Sequence, residues 1–581
     1  MKKYMQKHWF EYVYSALLTC IAAVGISLMF GYILETNDDA FLRSIVSGNY
    51  TGEPEAHLIY IMYPLGFILK SLYSILPKVY WYDFYMIGMH YICIFMLLVR
   101  VGEQFQSRSN KFLGITASFI ALMLLDLPYI VMHQYTVLAG VMMSVAVFWK
   151  ATAKESGGGK YWCDRIVIII FSVLCLWTRK QVFLLAVPLL ALITIVKIIK
   201  IRKDKKAIKN KLLFGAIFSI VVLGSFVTDK VAYSDSEWKD FLVYNEARTD
   251  LYDFYGVPSF EYYHDTYEEL GLDYGDWIVL QNYNTKLASD LSSDSIVILA
   301  ELSEQRLTES FRYTNKLHRM IYIVVNHMYT NPVQPIGLLL TVLYVLALIN
   351  CYKKDKKIPF LSICAMLLFE AAVAGYFVWH GRFLERISYG FYLMQVTYLL
   401  GVLLYDIKEV KVVTKKNIFW CVACAALILL LCGTMGLQRV RTTLDTQAYI
   451  EQNCSSWEVL NQYFREHNEV GYCLDTTSVA YFTERMFCDE VIEADNVIRL
   501  GTWILYSPLE KEHVQIEDAL SALESGKYYY VQDTGKGQDW IHSFWESKGY
   551  DIEIEVVDTI TIHNGCVFEI IDMSNIKKVK K

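Results

Sequence analysis

Eleven apolar runs separated by polar loops leave this chain few folds other than a bundle of membrane-crossing helices. They lie near 12–34, 79–99, 112–127, 130–149, 166–178, 182–196, 212–228, 335–350, 359–379, 389–405 and 417–433. The first, Tyr12 to Leu34, holds 23 residues without a charge. At about 1.5 Å per residue that length crosses a bilayer core. Across 581 residues, 55% are hydrophobic and 15% aromatic, with a mean hydropathy of +0.29, which excludes an ordinary soluble protein. Several runs fall below roughly 17 residues, so broken or partly embedded helices are expected there. Leu58 to Leu76 is also apolar but carries Pro64, Gly66 and Lys70, and reads as a helix on the membrane surface. Lys2, Lys3 and Lys7 precede a run too long for a cleavable signal peptide.

Charge gives an expected orientation. The loops 1–11, 100–111, 150–165, 197–211, 350–358 and 406–417 together hold 26 Lys and Arg, whereas the short loops on the other side hold two at most. Basic loops stay cytoplasmic, so the N-terminus is expected inside and the C-terminus outside. The run Lys197 to Lys211 is read as a topology anchor and not as nucleic-acid recognition.

The chain then divides into a multispan region, 1–437, and an extracytoplasmic α/β domain, 438–581. Within the first lie an outside loop with its surface helix, 35–78, and an acidic outside segment, 229–334. From Asp229 to Glu309 that segment has 18 Asp and Glu against 5 Lys and Arg. It is rich in tyrosine, as in Tyr252-Asp253-Phe254-Tyr255, and rings beside carboxylates suit sugar recognition. In the α/β domain, Ser455 to Glu458 predicts a helix start with a capping box. Strands are expected at 469–474 and 528–531, helices at 516–523 and 540–548, and a hairpin turning at Asn564-Gly565. Asp475 to Ser478 follows a strand and reads as a helix start capped by Ser478, with ligand binding as the alternative. The thirteen cysteines show no zinc spacing.

Thr36-Asn37-Asp38-Asp39 follows the first span directly. Taken alone, it could simply end a helix at the interface. Its surroundings argue for more: Phe41, Ile45 and Gly48 follow, then a polar stretch with His57, then Tyr63-Pro64-Leu65 and an apolar helix. This order resembles the first outside loop of the GT-C superfamily, integral-membrane glycosyltransferases that use polyprenyl-phosphate-linked sugars. Within it, the chain resembles bacterial relatives of the protein O-mannosyltransferases and of lipid A aminoarabinose transferase. It rests on motif-level similarity over about residues 30–75.

The resemblance implies that Asp38 and Asp39 are catalytic. One would take the acceptor hydroxyl's proton, and the other would position the acceptor or hold a divalent cation, Mg or Mn. It implies a polyprenyl-phosphate-linked donor and a glycan, lipid or protein acceptor, with no nucleic-acid partner. Many relatives carry a further acid in the second outside loop; here His133 and Gln134 stand there, with Asp126 at its edge. A departing lipid phosphate needs cations, and basic residues are disfavoured outside unless they have a task. Arg179 and Lys180 between two spans, and Arg382 and Arg386 in the next-to-last outside loop, are therefore the expected phosphate ligands. Lipid headgroups or nearby acids such as Glu385 are their simpler partners. His57, His133, Gln134 and Glu370 are possible substrate contacts, each with a structural role as the alternative. A flippase for lipid-linked glycans and a non-catalytic envelope-assembly protein are the competing functions. The α/β domain is expected to hold the acceptor while the membrane core holds the donor.

Overall fold

The computed structural model describes residues 8–155, 159–288, 291–310, 316–330, 334–353, 357–380, 383–409, 415–491, 493–513, 518–563 and 565–578. Among the described residues, ten helices are long and apolar enough to cross a membrane. They are Trp9–Met29, Trp81–Gly102, Arg108–Val131, Tyr135–Thr152, Gly159–Thr178, Lys180–Ile201, Lys205–Ala232, Pro335–Lys353, Lys357–Trp379 and Glu385–Leu404. Each matches one expected run. The runs that looked short, 166–178 and 182–196, belong to helices of 20 and 22 residues. Their polar ends join the helix because the charges there find partners: Asp164 accepts from Arg100 at 3.2 Å, and Lys197 lies 3.0 Å from Glu155. The eleventh run, 417–433, forms part of the helix Lys415–Glu466, but its side chains lie outside the described residues.

Tyr135–Thr152 is the centre of the bundle and is buried almost throughout. Its Gly140 meets Gly390 of the tenth span so closely that an added Cβ would lie 2.5 Å from the Gly390 Cα. Small residues permit this backbone approach. The stretch Leu58 to Leu76 forms the helix Tyr63–Ile75, 13 residues long, which is too short to span.

The C-terminal region contains a five-stranded mixed sheet in the order Val497–Arg499, Gly471–Leu474, Tyr528–Asp533, Val567–Asp572 and Glu555–Thr561. The first three strands are parallel and the last two antiparallel. Alternation puts Tyr472, Leu474 and Val531 on the face covered by Trp457, Leu460 and Phe464. Cys473 and Tyr530 join the other core, with Ile541, Phe544 and Trp545. The expected strands and hairpin are present, with Asn564 outside the described residues. The helix start at Ser455 is not: Lys415–Glu466 is one helix of 52 residues, running through both Ser455 and the 437/438 boundary. Ser455 and Ser456 donate to the carbonyls of Glu451 and Gln452 within it, so they serve no cap.

The 229–334 segment is not a separate unit. Asn284 donates to Asp475 at 2.7 Å, Lys286 pairs with Glu510, and Lys548 lies 3.0 Å from Asp273 and 2.8 Å from Asp276. Two acids of this segment thus share one cation of the α/β domain, Lys548.

Candidate functional site

After the first span the chain makes a short strand, Ile33–Leu34, and then the helix Asn37–Ser47. The strand pairs in parallel with Met132–His133. On its other side the α/β domain is attached through backbone bonds: Leu34 N–H to Glu484 O at 3.0 Å and Met486 N–H to Tyr32 O at 3.0 Å. The helix Asn37–Ser47 buries Ala40, Phe41, Leu42, Ile45 and Val46. Asp38 and Asp39 occupy its first turn, where the helix dipole favours negative charge.

The two acids point to different places. Asp39 is wholly buried and accepts from the Thr36 hydroxyl at 2.9 Å, the Tyr82 hydroxyl at 3.1 Å and the Tyr135 N–H at 3.2 Å. Burial raises its pKa to about 8, with the charges of Asp38 and Glu35 adding to the shift. Asp38 instead lines a cavity of about 290 Å³. Its pKa is also raised by burial. The guanidinium of Arg386 opposes that shift most, Asp253 adds to it, and Arg248 and Arg179 oppose it. The carboxylate is thus poised between desolvation and a ring of arginines.

Three parts of the chain build the cavity. The membrane region gives Asp38, Tyr60 and Arg386; the acidic segment gives Arg248, Asp253 and Tyr283; the α/β domain gives Thr476, Arg499 and Trp503. Arg248 is held by neutral groups: it donates to the hydroxyls of Tyr283 at 2.7 Å, Tyr60 at 3.3 Å and Thr249 at 2.8 Å, and to Asn245 at 3.1 Å. Asp253 comes from a π-helical turn, Asp250–Tyr255, a conformation that often marks functional sites. Tyr283 adopts a left-handed backbone, φ 59°, costly for a bulky residue and kept here beside the cavity. Thr476 and Gly501 to Trp503 follow the carboxyl ends of adjacent parallel strands, where open α/β sheets place ligands. Asp475, not Ser478, caps the helical turn Thr476–Val479 by accepting from the Ser478 N–H at 2.8 Å. Gly501 allows the domain to close on the acidic segment, since a Cβ there would lie 1.8 Å from the Tyr283 carbonyl oxygen.

The remaining expected residues lie elsewhere, except Arg179. That guanidinium sits 5.3 Å from the Tyr60 ring centroid and 5.2 Å from that of Tyr135, behind the cavity wall, with one buried Nη lacking a partner among the described residues. Lys180 is exposed and interacts with Asp229. Arg382 lies outside the described residues. His57 bridges Glu55 at 2.6 Å and the Ala232 carbonyl at 3.2 Å, stacked on Trp238. His133 is buried against His90 with Nδ1 3.1 Å from the Tyr129 carbonyl, and Gln134 caps the fourth span. Glu370 lies in the ninth span beside Tyr344. Lys180, His57, His133, Gln134 and Glu370 do not line the cavity.

The divergence of Asp38 and Asp39 does not suit a shared cation. Among the described residues no group of three or more His, Cys, Asp or Glu side chains could hold a metal ion. Sequence reasoning missed Arg248 and Arg499. Arg248 had a signal, being one of 5 basic residues between Asp229 and Glu309.

The fold and site together define a multi-pass helical membrane protein whose α/β domain completes an acid–arginine cavity. No protein-family model matches the sequence, and no curated protein matches it. Among solved structures the chain is similar to the crystal structure of ArnT from Cupriavidus metallidurans bound to undecaprenyl phosphate. Sequence identity is 11% and the TM-score 0.38, over 97% of this chain and 98% of that one.

Proposed function

We propose that this chain is a membrane glycosyltransferase that moves a sugar from a polyprenyl-phosphate-linked donor to an acceptor outside the cytoplasmic membrane. The observation that carries the reading is the placement of the Asp38 carboxylate in one cavity with Arg248 and Arg386. The residue order around Asp38 and its resemblance to GT-C loops support it from the sequence side. Alternation along the chain also assigns Asp38, Arg248 and Arg386 to the same side, the one with few basic loops.

In this reading Asp38 accepts the acceptor's hydroxyl proton as that oxygen attacks the anomeric carbon. The bond from that carbon to the phosphate oxygen breaks, and the lipid phosphate leaves with an added negative charge. Arg386 and Arg248 stabilise it as fixed cations facing the cavity. Asp39 acts through position: by tying Thr36, Tyr82 and the start of the fourth span together, it holds the turn that carries Asp38. Asp253 contributes a second carboxylate for orienting a sugar hydroxyl. The test uses the full chain in nanodiscs supplied with undecaprenyl-phosphate-linked sugars and with sugar acceptors bearing free hydroxyls, and reads release of free undecaprenyl phosphate. Release that depends on Asp38 is expected; no release with any such donor overturns the proposal.

A further inference from the structure

Beside the Asp38 cavity, a second, smaller hollow lies between the helix Asn37–Ser47 and the α/β domain. It has a volume of about 70 Å³. Asn37, Phe41, Val479 and Arg499 line both spaces, so the two are contiguous along the first turns of the helix that carries Asp38. The smaller one adds Ser44 and Asn49 from the membrane region, and Thr483, Glu493 and Asp495 from the domain.

Its lining is more acidic than that of the cavity. Among the described residues, the cation lining it is Arg499, which is bound by Glu493 at 2.9 Å. Glu484 in the wall is paired to Arg43, and Asp495 is exposed. A phosphate is therefore better placed against Arg248 and Arg386. The hollow favours groups that donate hydrogen bonds to carboxylates and amides, namely hydroxyls and an ammonium. Stacking is not how it would recognise a ligand, because Trp457 is covered by Arg499 at 4.9 Å and by Phe482 at 5.5 Å. The smaller of the two spaces suits the edge of one sugar ring with its hydroxyls.

We infer that this groove is an acceptor subsite that takes the edge of a neutral or amino-bearing sugar and leads its reactive hydroxyl past Asn37 to Asp38. The acceptor role rests on the glycosyltransferase reading; binding of the sugar edge does not. The groove also assigns substrate classes by charge, with the lipid phosphate on the arginine side and the hydroxyl-rich acceptor on the carboxylate side.

The test places a reporter in the groove of the full chain. Asn49→Cys is reconstituted in nanodiscs, and its alkylation rate is read by peptide mass spectrometry with glucosamine, glucose or glucose 6-phosphate. Asp539→Cys, on an exposed helix, reports any general effect of sugar. Glucosamine and glucose should slow alkylation at position 49 alone, about threefold at twice the dissociation constant, because protection follows 1 + [L]/Kd. Glucosamine should act at lower concentration than glucose, and glucose 6-phosphate least of all. Asp495→Lys should remove the preference for glucosamine, and Ser44→Trp, which fills the groove, should abolish protection. Binding of undecaprenyl phosphate, measured in parallel, should survive Asp495→Lys. Equal alkylation with and without both sugars overturns the inference, as does protection by glucose 6-phosphate equal to that by glucosamine. Sugar protection in a protein that fails to bind undecaprenyl phosphate would keep the groove and remove the donor reading instead.

Discussion

Adjacent carboxylates in one helical turn can have unlike roles, because successive residues are about 100° apart around the axis. Asp39 is turned into protein, where its oxygens meet Thr36, Tyr82 and Tyr135, while Asp38 is turned to the cavity. The sequence marks the pair but not which acid faces which way, since that depends on partners from distant spans. Asp39 holds its proton up to about pH 8 in the folded chain, whereas an unfolded aspartate loses it near pH 4. The folded state thus binds more protons across that window, and this contribution to stability is lost as pH rises through it. Asp39→Asn should therefore flatten the fall of melting temperature between about pH 4 and 8 and leave most transfer activity. An unchanged slope would contradict the assignment. Arg248 had no place among the expected phosphate ligands, although its guanidinium is aligned by the neutral hydroxyls of Tyr283 and Tyr60. Arg248→Ala and Arg386→Ala should each raise the KM for the lipid-phosphate donor by roughly tenfold or more, with poor rescue by Lys, which lacks the planar fork. Unaltered donor affinity in both would place the phosphate elsewhere.

Elements that are regular in themselves were legible; the joints between them were not. Hydropathy located all ten described spans, and the Pro64-bearing stretch was recognisable as a helix apart from them. The helix Lys415–Glu466 hid its continuity, because serines suited to a cap also bond back within a helix. The joint between Asn37–Ser47 and the α/β domain is a buried charge cluster. Arg43 is fully buried, with Nη1 3.1 Å from Asp83 and 2.8 Å from the Arg485 carbonyl, Nη2 bonded to Glu484, and Nε 3.9 Å from Glu490. No local pattern announces it, since its members come from residues 43, 83, 484 and 490. Arg43→Met would leave Asp83 and Glu484 buried without their cation. Breaking a buried pair from one side costs about 3–5 kcal/mol, so the variant should melt at markedly lower temperature in detergent. Wild-type melting would show that the cluster does not hold the domain.

For the whole molecule, the central point is that domain and core build one cavity together, where the sequence reading assigns them separate tasks. The α/β domain supplies Thr476, Arg499, Gly501, Thr502 and Trp503 to the cavity that holds Asp38. A sequence reading separates the two because the charges and motifs lie hundreds of residues apart. The bias of 26 basic residues to one set of loops predicts that this assembly faces outward. A cysteine introduced at Asp539 should react with an impermeant thiol reagent in intact cells and one at Lys205 should not; the reverse would move the site to the cytoplasm. The most direct test of the account is the single-turnover rate of sugar transfer by Asp38→Asn in nanodiscs preloaded with lipid-linked donor. Loss of the general base predicts a fall of roughly 100-fold or more, with donor binding retained and Asp39→Asn far less affected. A rate near that of the unaltered protein would contradict the assignment of Asp38 as the base, and with it the proposed mechanism.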